Sequence, residues 1–500
     1  MDVKKGKLNV VVSIAFKIIT MVMAIVVKRA LIGACGNEVN GLNSLYISII
    51  GFLSVAELGV GSAIIFCMYK PIVEGNHDRV SALYHLFRKL YLIIGAMIFV
   101  GGLAILPFLP FLVKDYSQLS VNMHLTFLLM LISVTATYLF SAKTSLINAY
   151  KNNYITTAIS QGGVVLQYVL QIVVLYLTRS FEGYLICRIL AVLAQWIASE
   201  IAVRKNYGAV IKTRAALDDE TKNDVKRSIK AMFMHKIGYV LVNTVDSVII
   251  SAFVGVVALG EYSNYTMILS SMSGILTLVF TSLTSVIGHL CVEEDKPTVQ
   301  KYYESFHLLN FIIGTVFFLG YYAVVDHLIA LLFSPELIVS KSVSFVITLN
   351  GFVQFMRHST LTFRDATGSF YQDRWKPLFE GVLNIILSIL FVNFIGVTGV
   401  IVATIITNLV ICHVVEPYVL FKNAFTASPK VFYLRSYGMI LAFAVALGFL
   451  SCCLQSFSNE FVEMIVNGFI SLGFSAGLCM ILILTNKKKS KQLLKILRKG

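Results

Sequence analysis

Apolar segments of membrane-spanning length follow one another along almost the whole chain. A helix needs about 20 apolar residues to cross a bilayer, and by that rule the sequence contains about fourteen such segments. They lie at residues 8–32, 42–68, 86–113, 122–149, 155–178, 183–203, 233–257, 262–290, 307–333, 342–363, 377–395, 397–421, 433–455 and 462–485. Charged residues form only 13% of the chain, about half the share in soluble proteins. The sequence therefore predicts an all-α polytopic membrane protein with about fourteen transmembrane helices.

The cationic residues are concentrated in every second link between these segments. The clusters lie at residues 4–7, 70–89, 204–236, 357–376, 422–435 and 487–499. Lys and Arg accumulate in cytoplasmic links of membrane proteins. The pattern and the even number of segments therefore predict that both termini are cytoplasmic. The net charge of +15 follows from this asymmetry, so we predict no nucleic-acid partner.

An internal repeat predicts how the chain is divided. The string Asn40-Gly41-Leu42-Asn43-Ser44-Leu45-Tyr46 resembles Leu259-Gly260-Glu261-Tyr262-Ser263-Asn264-Tyr265, at an offset of about 220 residues. Six segments fall in each copy, and an even number gives both copies the same orientation in the membrane. We predict two six-helix lobes in parallel repeat plus two C-terminal helices. The predicted parts are an N-lobe at 1–204, a cytoplasmic amphipathic link at 205–232, a C-lobe at 233–421, helices at 422–486 and a basic cytoplasmic tail at 487–500.

Three cations lie within the first apolar segment: Lys17, Lys28 and Arg29. The eleven-residue step from Lys17 to Lys28 corresponds to about three helical turns, which places both on one face. Charges at membrane depth are costly and usually face a partner or a water-filled cavity. A cavity lined by these cations is one interpretation. The other is that Lys28 and Arg29 reach the membrane interface while Lys17 binds a neighbouring carbonyl.

Other polar groups within the apolar segments are candidates for the same cavity. Glu57 lies in the second segment and Asp246 in the seventh, and a carboxylate there needs a counter-charge or a proton. A lysine of the first segment is the expected partner of Glu57. Asn243 shares a polar helical stripe with Asp246, and Thr277 and Thr281 lie in a hydroxyl-rich stretch of the eighth segment. We predict that these side chains line a polar interior.

Metal and enzyme chemistry have little support in the sequence. The eight cysteines are scattered and form no C-x-x-C pair, which predicts reduced, packed thiols and no metal site. A membrane-embedded glycosyltransferase or polymerase is an alternative. However, such an enzyme usually needs a sizeable extramembrane loop, and here the His and carboxylate residues form no catalytic constellation. We predict that the protein is not an enzyme.

Several strings resemble a known family of membrane proteins. Glu38-Val39-Asn40-Gly41-Leu42-Asn43-Ser44-Leu45, Glu57-Leu58-Gly59-Val60-Gly61-Ser62-Ala63-Ile64 and Tyr69-Lys70-Pro71 resemble the N-terminal signature of Wzx-type polysaccharide flippases. These belong to the MOP superfamily, which also holds lipid II flippases and MATE drug exporters. Residues 246–251, 262–265 and 363–377 are similar to later, looser blocks. His289 stands where the family pattern has Asn, so no family role is carried to it.

The resemblance implies two lobes that face each other across a cavity and work by alternating access. The implied cargo is undecaprenyl-diphosphate-linked oligosaccharide, moved across the bacterial cytoplasmic membrane for capsule or exopolysaccharide biosynthesis. It implies no cofactor, with coupling to a Na⁺ or H⁺ gradient in some relatives. The implied partners are this substrate, membrane lipids, a polysaccharide polymerase and glycosyltransferases.

Within that framework the charged candidates take separate roles. Lys17, Lys28 and Arg29 would bind the diphosphate, because fixed cations offset the cost of its desolvation. Glu57 and Asp246 would couple or gate transport, because a carboxylate that changes charge can bias two states. A MATE-like, cation-coupled exporter of drugs or small solutes is the alternative, although acidic and aromatic residues should then dominate the cavity.

Overall fold

The computed structural model describes residues 3–57, 60–114, 116–213, 225, 244–369, 372–373, 375–425, 427–457 and 459–485. No β-strand occurs within these ranges, and the predicted all-α class is confirmed. The helices in chain order are α1 (Val3–Leu53), α2 (Val60–Val73), α3 (His77–Ile105), α4 (Met123–Thr135), α5 (Ser141–Ala149), α6 (Asn153–Thr178), α7 (Phe181–Lys212), α8 (Thr244–Phe253), α9 (Val256–Glu293), α10 (Lys296–Leu332), α11 (Lys341–Met356), α12 (His358–Ala366), α13 (Lys376–Thr407), α14 (His413–Ala424), α15 (Lys430–Cys453) and α16 (Glu460–Thr485).

Nine helical stretches in the described part of the chain are long and apolar enough to cross a membrane. Two of them, Ala15–Leu53 with 39 residues and Lys376–Ala424 with 49 residues, are much longer than one span requires. Each contains a backbone break, so each consists of two helices in succession. Together with the shorter helices, they occupy the apolar segments that the sequence predicts, although residues 233–243 of the seventh lie outside the described residues.

The break in α1 falls at Gly36, inside the predicted polar link at 33–41. Gly36 has φ 86° and ψ 166°, a conformation that is readily accessible only to glycine. Helical geometry continues on both sides of this residue. The link between the first two segments is therefore a single-residue break rather than a nine-residue loop, because one glycine suffices to redirect the chain.

The second and third segments also differ from the prediction. Helix α1 ends at Leu53, a 3₁₀ turn covers Ser54–Glu57, and α2 then extends to Val73. The predicted polar link at 74–88 is mostly helical, because α3 begins at His77. The side chain of Asn76 caps that helix by accepting a hydrogen bond from the backbone N–H of Arg79 at 3.0 Å. The polar residues 77–88 thus form the first turns of a membrane helix.

A similar break separates the eleventh and twelfth segments where the sequence predicts it. Ile395 and Gly396 have non-helical backbone angles within α13, with φ 57° at Gly396. A π-helical turn, Asn408–Cys412, then joins α13 to α14. Such turns shift the helical register by one residue and are frequent at functional sites. This turn brings Asn408 into a cluster of charged side chains that is described below.

The chain separates into two compact units, Met1–Gly260 and Glu261–Gly500. This division lies inside α9, whereas the predicted boundaries lie at 204/205 and 232/233, and the predicted link at 205–232 falls largely outside the described residues. The lobe limits of the sequence analysis stay predictions.

Residues of the internal repeat meet within the first unit. The side-chain amide of Asn37 donates to the carbonyl of Val257 at 3.0 Å, and that of Asn40 donates to the carbonyl of Gly260 at 3.2 Å. A Cβ on Gly41 would overlap the carbonyl oxygen of Val256. Glycine is therefore required at position 41, because the backbones of α1 and α9 touch there.

Candidate functional site

The three cations of the first segment lie on α1, within the first unit. The helix is continuous over these positions, so Lys17 and Lys28 differ by only about 20° around its axis, whereas Arg29 lies about 100° further round. Lys17 and Arg29 are exposed and Lys28 is half-buried. The structure thus brings Lys17 and Lys28 to one face of α1, and Arg29 borders that face. Their role in binding a substrate stays a prediction.

Glu57 lies at the end of the 3₁₀ turn that follows α1 and is half-buried. The hydroxyl of Tyr138 donates a hydrogen bond to its Oε2 at 3.0 Å. The ring of Tyr138 packs against that of Tyr91 at a centroid distance of 5.9 Å. Tyr138 is therefore a partner of Glu57 among the described residues, and a lysine of the first segment as its counter-charge stays a prediction.

The remaining candidates are spread over both units. Asp246 lies on α8 and is half-buried. Thr277 is exposed on α9, where its hydroxyl donates to the carbonyl of Ser273 at 3.0 Å and lies 3.4 Å from Nε2 of His358. Asn243 and the side chain of Thr281 lie outside the described residues.

The second unit contains a buried network that the sequence analysis did not assign to a site. We call it the charge cluster: Arg357, Lys376, Glu380 and Glu416. The guanidinium of Arg357 binds Glu416 through two hydrogen bonds, Nη2 to Oε1 at 2.6 Å and Nε to Oε2 at 3.2 Å. Lys376 Nζ lies 2.6 Å from Oε1 of Glu416 and 3.2 Å from Oε2 of Glu380. Each cation therefore has a carboxylate in direct contact.

The surroundings of the charge cluster satisfy its remaining donors. Arg357 Nη1 donates to Oδ1 of Asn408 at 2.7 Å, which the π-helical turn positions. Glu416 is fully buried, and Glu380 and Lys376 are only 4% and 7% exposed. Two cations and two carboxylates cancel, so this cluster holds the α11–α12 junction, α13 and α14 together and has no net charge to attract an anion.

One sequence signal could have located the charge cluster. Glu380 and Glu416 are isolated carboxylates inside the eleventh and twelfth apolar segments, and Glu380 follows Lys376 by four residues on a helix. A charge at membrane depth is expected to have a partner, and the four-residue step identifies one. The contact between Arg357 and Glu416 joins residues that are 59 positions apart, and no spacing in the sequence indicates it.

No metal site is evident among the residues that the structure describes. Within these ranges, no group of three or more His, Cys, Asp or Glu side chains is placed to hold an ion. The described polar groups include cations that can bind an anion, carboxylates that can exchange a proton or a cation, and hydroxyls that can hydrogen-bond a polar cargo.

Comparison with known proteins gives the fold a clear precedent. No family model matches the sequence, and no curated protein matches it either. Among solved structures, an inward-facing multidrug resistance MATE family transporter of the MOP superfamily matches with a TM-score of 0.59 and 14% identity, over 87% of this chain and 98% of that one. The lipid II flippase MurJ, in an inward closed conformation, matches with a TM-score of 0.59 and 15% identity, over 95% of this chain and 100% of that one.

A third match has the same architecture. It is a MOP superfamily transporter from Pyrococcus furiosus, with a TM-score of 0.51 and 17% identity, over 88% of this chain and 96% of that one. At these identities the comparisons establish the fold: the chain is a multi-pass, all-helical membrane protein with the fold of MOP superfamily transporters. The solved structures with this fold that are named here are transporters and a flippase.

Proposed function

We propose that the protein is a flippase that moves undecaprenyl-diphosphate-linked oligosaccharide from the inner to the outer leaflet of the bacterial cytoplasmic membrane. The product would serve capsule or exopolysaccharide biosynthesis. The observation that carries the proposal is the placement of Lys17, Lys28 and Arg29 within the membrane-crossing stretch of α1.

The charge of the proposed cargo explains why cations should lie at membrane depth. A diphosphate loses much of its hydration when it crosses a bilayer, and a charged group without compensation is very costly there. Lys and Arg on a rigid helix offset that cost with charge-assisted hydrogen bonds. The glycan requires only neutral hydrogen-bonding groups, such as Asn243, Thr277 and Thr281, and the lipid tail can stay in the bilayer.

The similarity to a solved flippase supports the proposal, but overall structural similarity does not distinguish a flippase from a MATE transporter. The lipid II flippase and the MATE transporter give equal TM-scores, but the flippase match extends over a larger share of this chain. The sequence strings around Asn40, Glu57 and Tyr69 resemble the polysaccharide flippases. Lipid II is the cargo named for MurJ, and lipid-linked oligosaccharide is the cargo that we propose for this chain.

Transport needs a source of bias between its two states. We propose Glu57 and Asp246 as the carboxylates that couple transport to Na⁺ or H⁺ or that gate it, because a change in their charge alters the balance between conformations. The hydrogen bond from Tyr138 to Glu57 is one that would weaken if Glu57 became protonated and neutral. Both termini would be cytoplasmic, and the glycosyltransferases and the polymerase would act on opposite sides of the membrane.

A MATE-like exporter of drugs or small solutes is a second candidate, favoured by the MATE match at a TM-score of 0.59. The two functions differ in the charge of the cargo. A cationic drug would be repelled by Lys17, Lys28 and Arg29, whereas a diphosphate would be attracted. Neutralising these residues should therefore have opposite consequences under the two proposals.

The proposal can be tested in cells that lack the protein but keep their glycosyltransferases. Lipid-linked oligosaccharide should accumulate in the inner leaflet, and restoring the protein should clear it. Lys17→Gln and Lys28→Gln should each slow clearance by roughly tenfold or more, the value of one lost hydrogen bond between charged groups. Lys114→Gln, which neutralises an exposed lysine of the same unit outside the helices, should clear normally.

Each result has a definite meaning. Accumulation without the protein and clearance with it would establish flipping, whatever the variants do. Normal clearance by both variants would remove α1 as the diphosphate site. Absence of accumulation, together with altered drug sensitivity, would replace the flippase by the exporter.

A further inference from the structure

A groove of about 530 Å³ lies in the first unit between α3, α5 and α7. We call it the α3–α7 groove. Its charged lining consists of Arg88 on α3, Lys143 on α5, and Glu200 and Arg204 on α7. Lys17, Lys28 and Arg29 are not among its described lining residues, so the groove is separate from the cations that we propose for the transported substrate.

Among the described residues that line the groove, three are cations and one is a carboxylate. Glu200 forms ion pairs with both Lys143 and Arg204, and Nε of Arg204 lies 2.5 Å from Oε1 of Glu200. One carboxylate cannot neutralise two cations, and Arg88 adds a third. Arg88 is exposed and the side chain of Arg204 is 73% exposed. The groove therefore presents excess positive charge at an accessible surface.

The rest of the lining is apolar and faces outward. Leu92, Leu139, Ile197 and Ile201 are exposed lining residues, which is the expected state for side chains that contact lipid tails. Trp196 lines the groove together with these apolar residues and the charged ones, and Nζ of Lys143 lies 5.7 Å from its ring centroid. Tryptophan is enriched at the level of lipid headgroups, because its ring is apolar and its N–H is polar.

The groove lies near one end of the unit. Helix α3 begins at His77, and α7 ends at Lys212, next to that beginning: Nε2 of His85 lies 3.0 Å from the carbonyl oxygen of Thr213. Positive charge predicts this end to be cytoplasmic. Basic pockets between transmembrane helices on the cytoplasmic side are suited to anionic lipid headgroups. An apolar wall, an interfacial tryptophan and excess cations together match the chemistry of one phospholipid.

We propose that the α3–α7 groove binds an anionic phospholipid of the membrane in which the protein lies. Its phosphate contacts Arg88 and Arg204, and its acyl chains lie along the apolar residues of α3 and α7. Lys143 and Glu200 form the base of the headgroup site. This binding is independent of what the protein transports, and it would make the stability or activity of the first unit depend on lipid composition.

Trp196 provides a direct probe of the proposed site. The chain contains two tryptophans, so Trp375→Phe leaves Trp196 as the only one. This protein would be reconstituted into vesicles in which either phosphatidylglycerol or phosphatidylcholine carries brominated acyl chains, which quench a nearby tryptophan. Quenching by each brominated lipid gives its relative binding constant near Trp196. The ratio of the constant for phosphatidylglycerol to that for phosphatidylcholine measures the preference of the groove for anionic lipid. We expect a preference of roughly thirtyfold, as two excess cations would give.

Two double variants in the same background separate a binding site from general surface charge. Arg88→Gln with Arg204→Gln removes two cations of the groove, and the preference should fall to about one. The control is Lys89→Gln with Lys205→Gln. These two exposed lysines directly follow Arg88 and Arg204 in the sequence and are not among the described residues that line the groove. This control should keep the preference.

The outcomes decide the proposal in both directions. Loss of preference in the groove variant alone supports it. Equal quenching by both brominated lipids in the parent protein overturns it, because Trp196 then contacts bulk lipid. Equal loss of preference in both double variants also overturns it, because the attraction then belongs to the whole surface. Elution as a monodisperse protein after purification checks that each variant is folded.

Discussion

The charge cluster of the second unit and the α3–α7 groove of the first unit are built from the same residue types in opposite ways. In the charge cluster, Lys376, Glu380 and Glu416 are buried, the side chain of Arg357 is 16% exposed, and Glu416 receives hydrogen bonds from Arg357 and Lys376. In the groove, Glu200 is shared by Lys143 and Arg204, while Arg88 adds further positive charge at an open surface.

The difference indicates which charges serve the fold and which are available for a ligand. A buried network must be balanced, because an isolated charge in a low-dielectric interior costs several kcal/mol. An exposed groove tolerates an excess, because water and lipid headgroups supply the compensation. We therefore expect a binding site in this protein where charge is in excess, rather than at every charge that lies at membrane depth.

Glu416→Gln should have the largest effect of the changes that test this comparison. It leaves two buried cations with one carboxylate, Glu380, and we expect the free energy of unfolding to fall by about 3–5 kcal/mol. Titration of the purified protein with SDS in mixed micelles would measure this. The control is Glu74→Gln, because Glu74 is exposed and lies 3.9 Å from Lys70. The control should change stability by less than about 1 kcal/mol, and equal stability of both variants would contradict a structural role for the charge cluster.

Arg357→Lys should have an intermediate effect on stability, because it keeps the positive charge but removes the planar guanidinium and its set of directed hydrogen bonds. A lysine cannot reproduce the paired bonds to Glu416 and the bond to Asn408 at the same time. We expect a loss of about 2 kcal/mol in the free energy of unfolding. The matched change in the groove, Arg204→Lys, should be nearly silent in the same titration. If Arg357→Lys is silent as well, only the charge of this residue matters.

Glu200→Gln should have the smallest effect on stability and a gain in lipid binding. Its side chain is 28% exposed, so loss of its ion pairs should cost less than about 1 kcal/mol. Glu200 is the only carboxylate among the described lining residues, so its removal adds to the excess positive charge of the groove. The preference of the groove for phosphatidylglycerol over phosphatidylcholine, measured by quenching of Trp196, should therefore rise about fivefold. A fall in that preference would show that Glu200 orients the cations rather than opposing the lipid.

Much of the fold was predictable because membrane helices obey local rules. Length and hydropathy located the apolar segments, and the described helices occupy them. Both breaks fall at glycines that lie between predicted segments, and Gly36 and Gly396 each adopt positive φ. The internal repeat also corresponds to equivalent environments: Tyr46 and Tyr265 are both fully buried, and each donates its hydroxyl hydrogen bond inside its own unit, to Met123 and to Asp326 respectively.

The partners of charged residues were the least predictable part. Glu57 accepts a hydrogen bond from Tyr138, 81 residues away in the sequence. Arg357 meets Glu416 across 59 residues of sequence. Neither pairing leaves a periodic pattern, because each depends on how helices from distant parts of the chain pack together. Where the sequence did carry a local signal, as for Lys376 and Glu380, a four-residue helical step was sufficient to suggest the pair.

The sequence by itself determined that this is an all-helical membrane protein and where its apolar segments lie, because the bilayer requires each span to satisfy its own backbone and to be apolar along its length. Only the tertiary structure decided that Arg357, Lys376, Glu380 and Glu416 neutralise one another, and that Arg88, Lys143 and Arg204 converge with an excess of charge. The physical reason is that electrostatic compensation depends on distances between side chains on different helices, and hydropathy does not encode these distances.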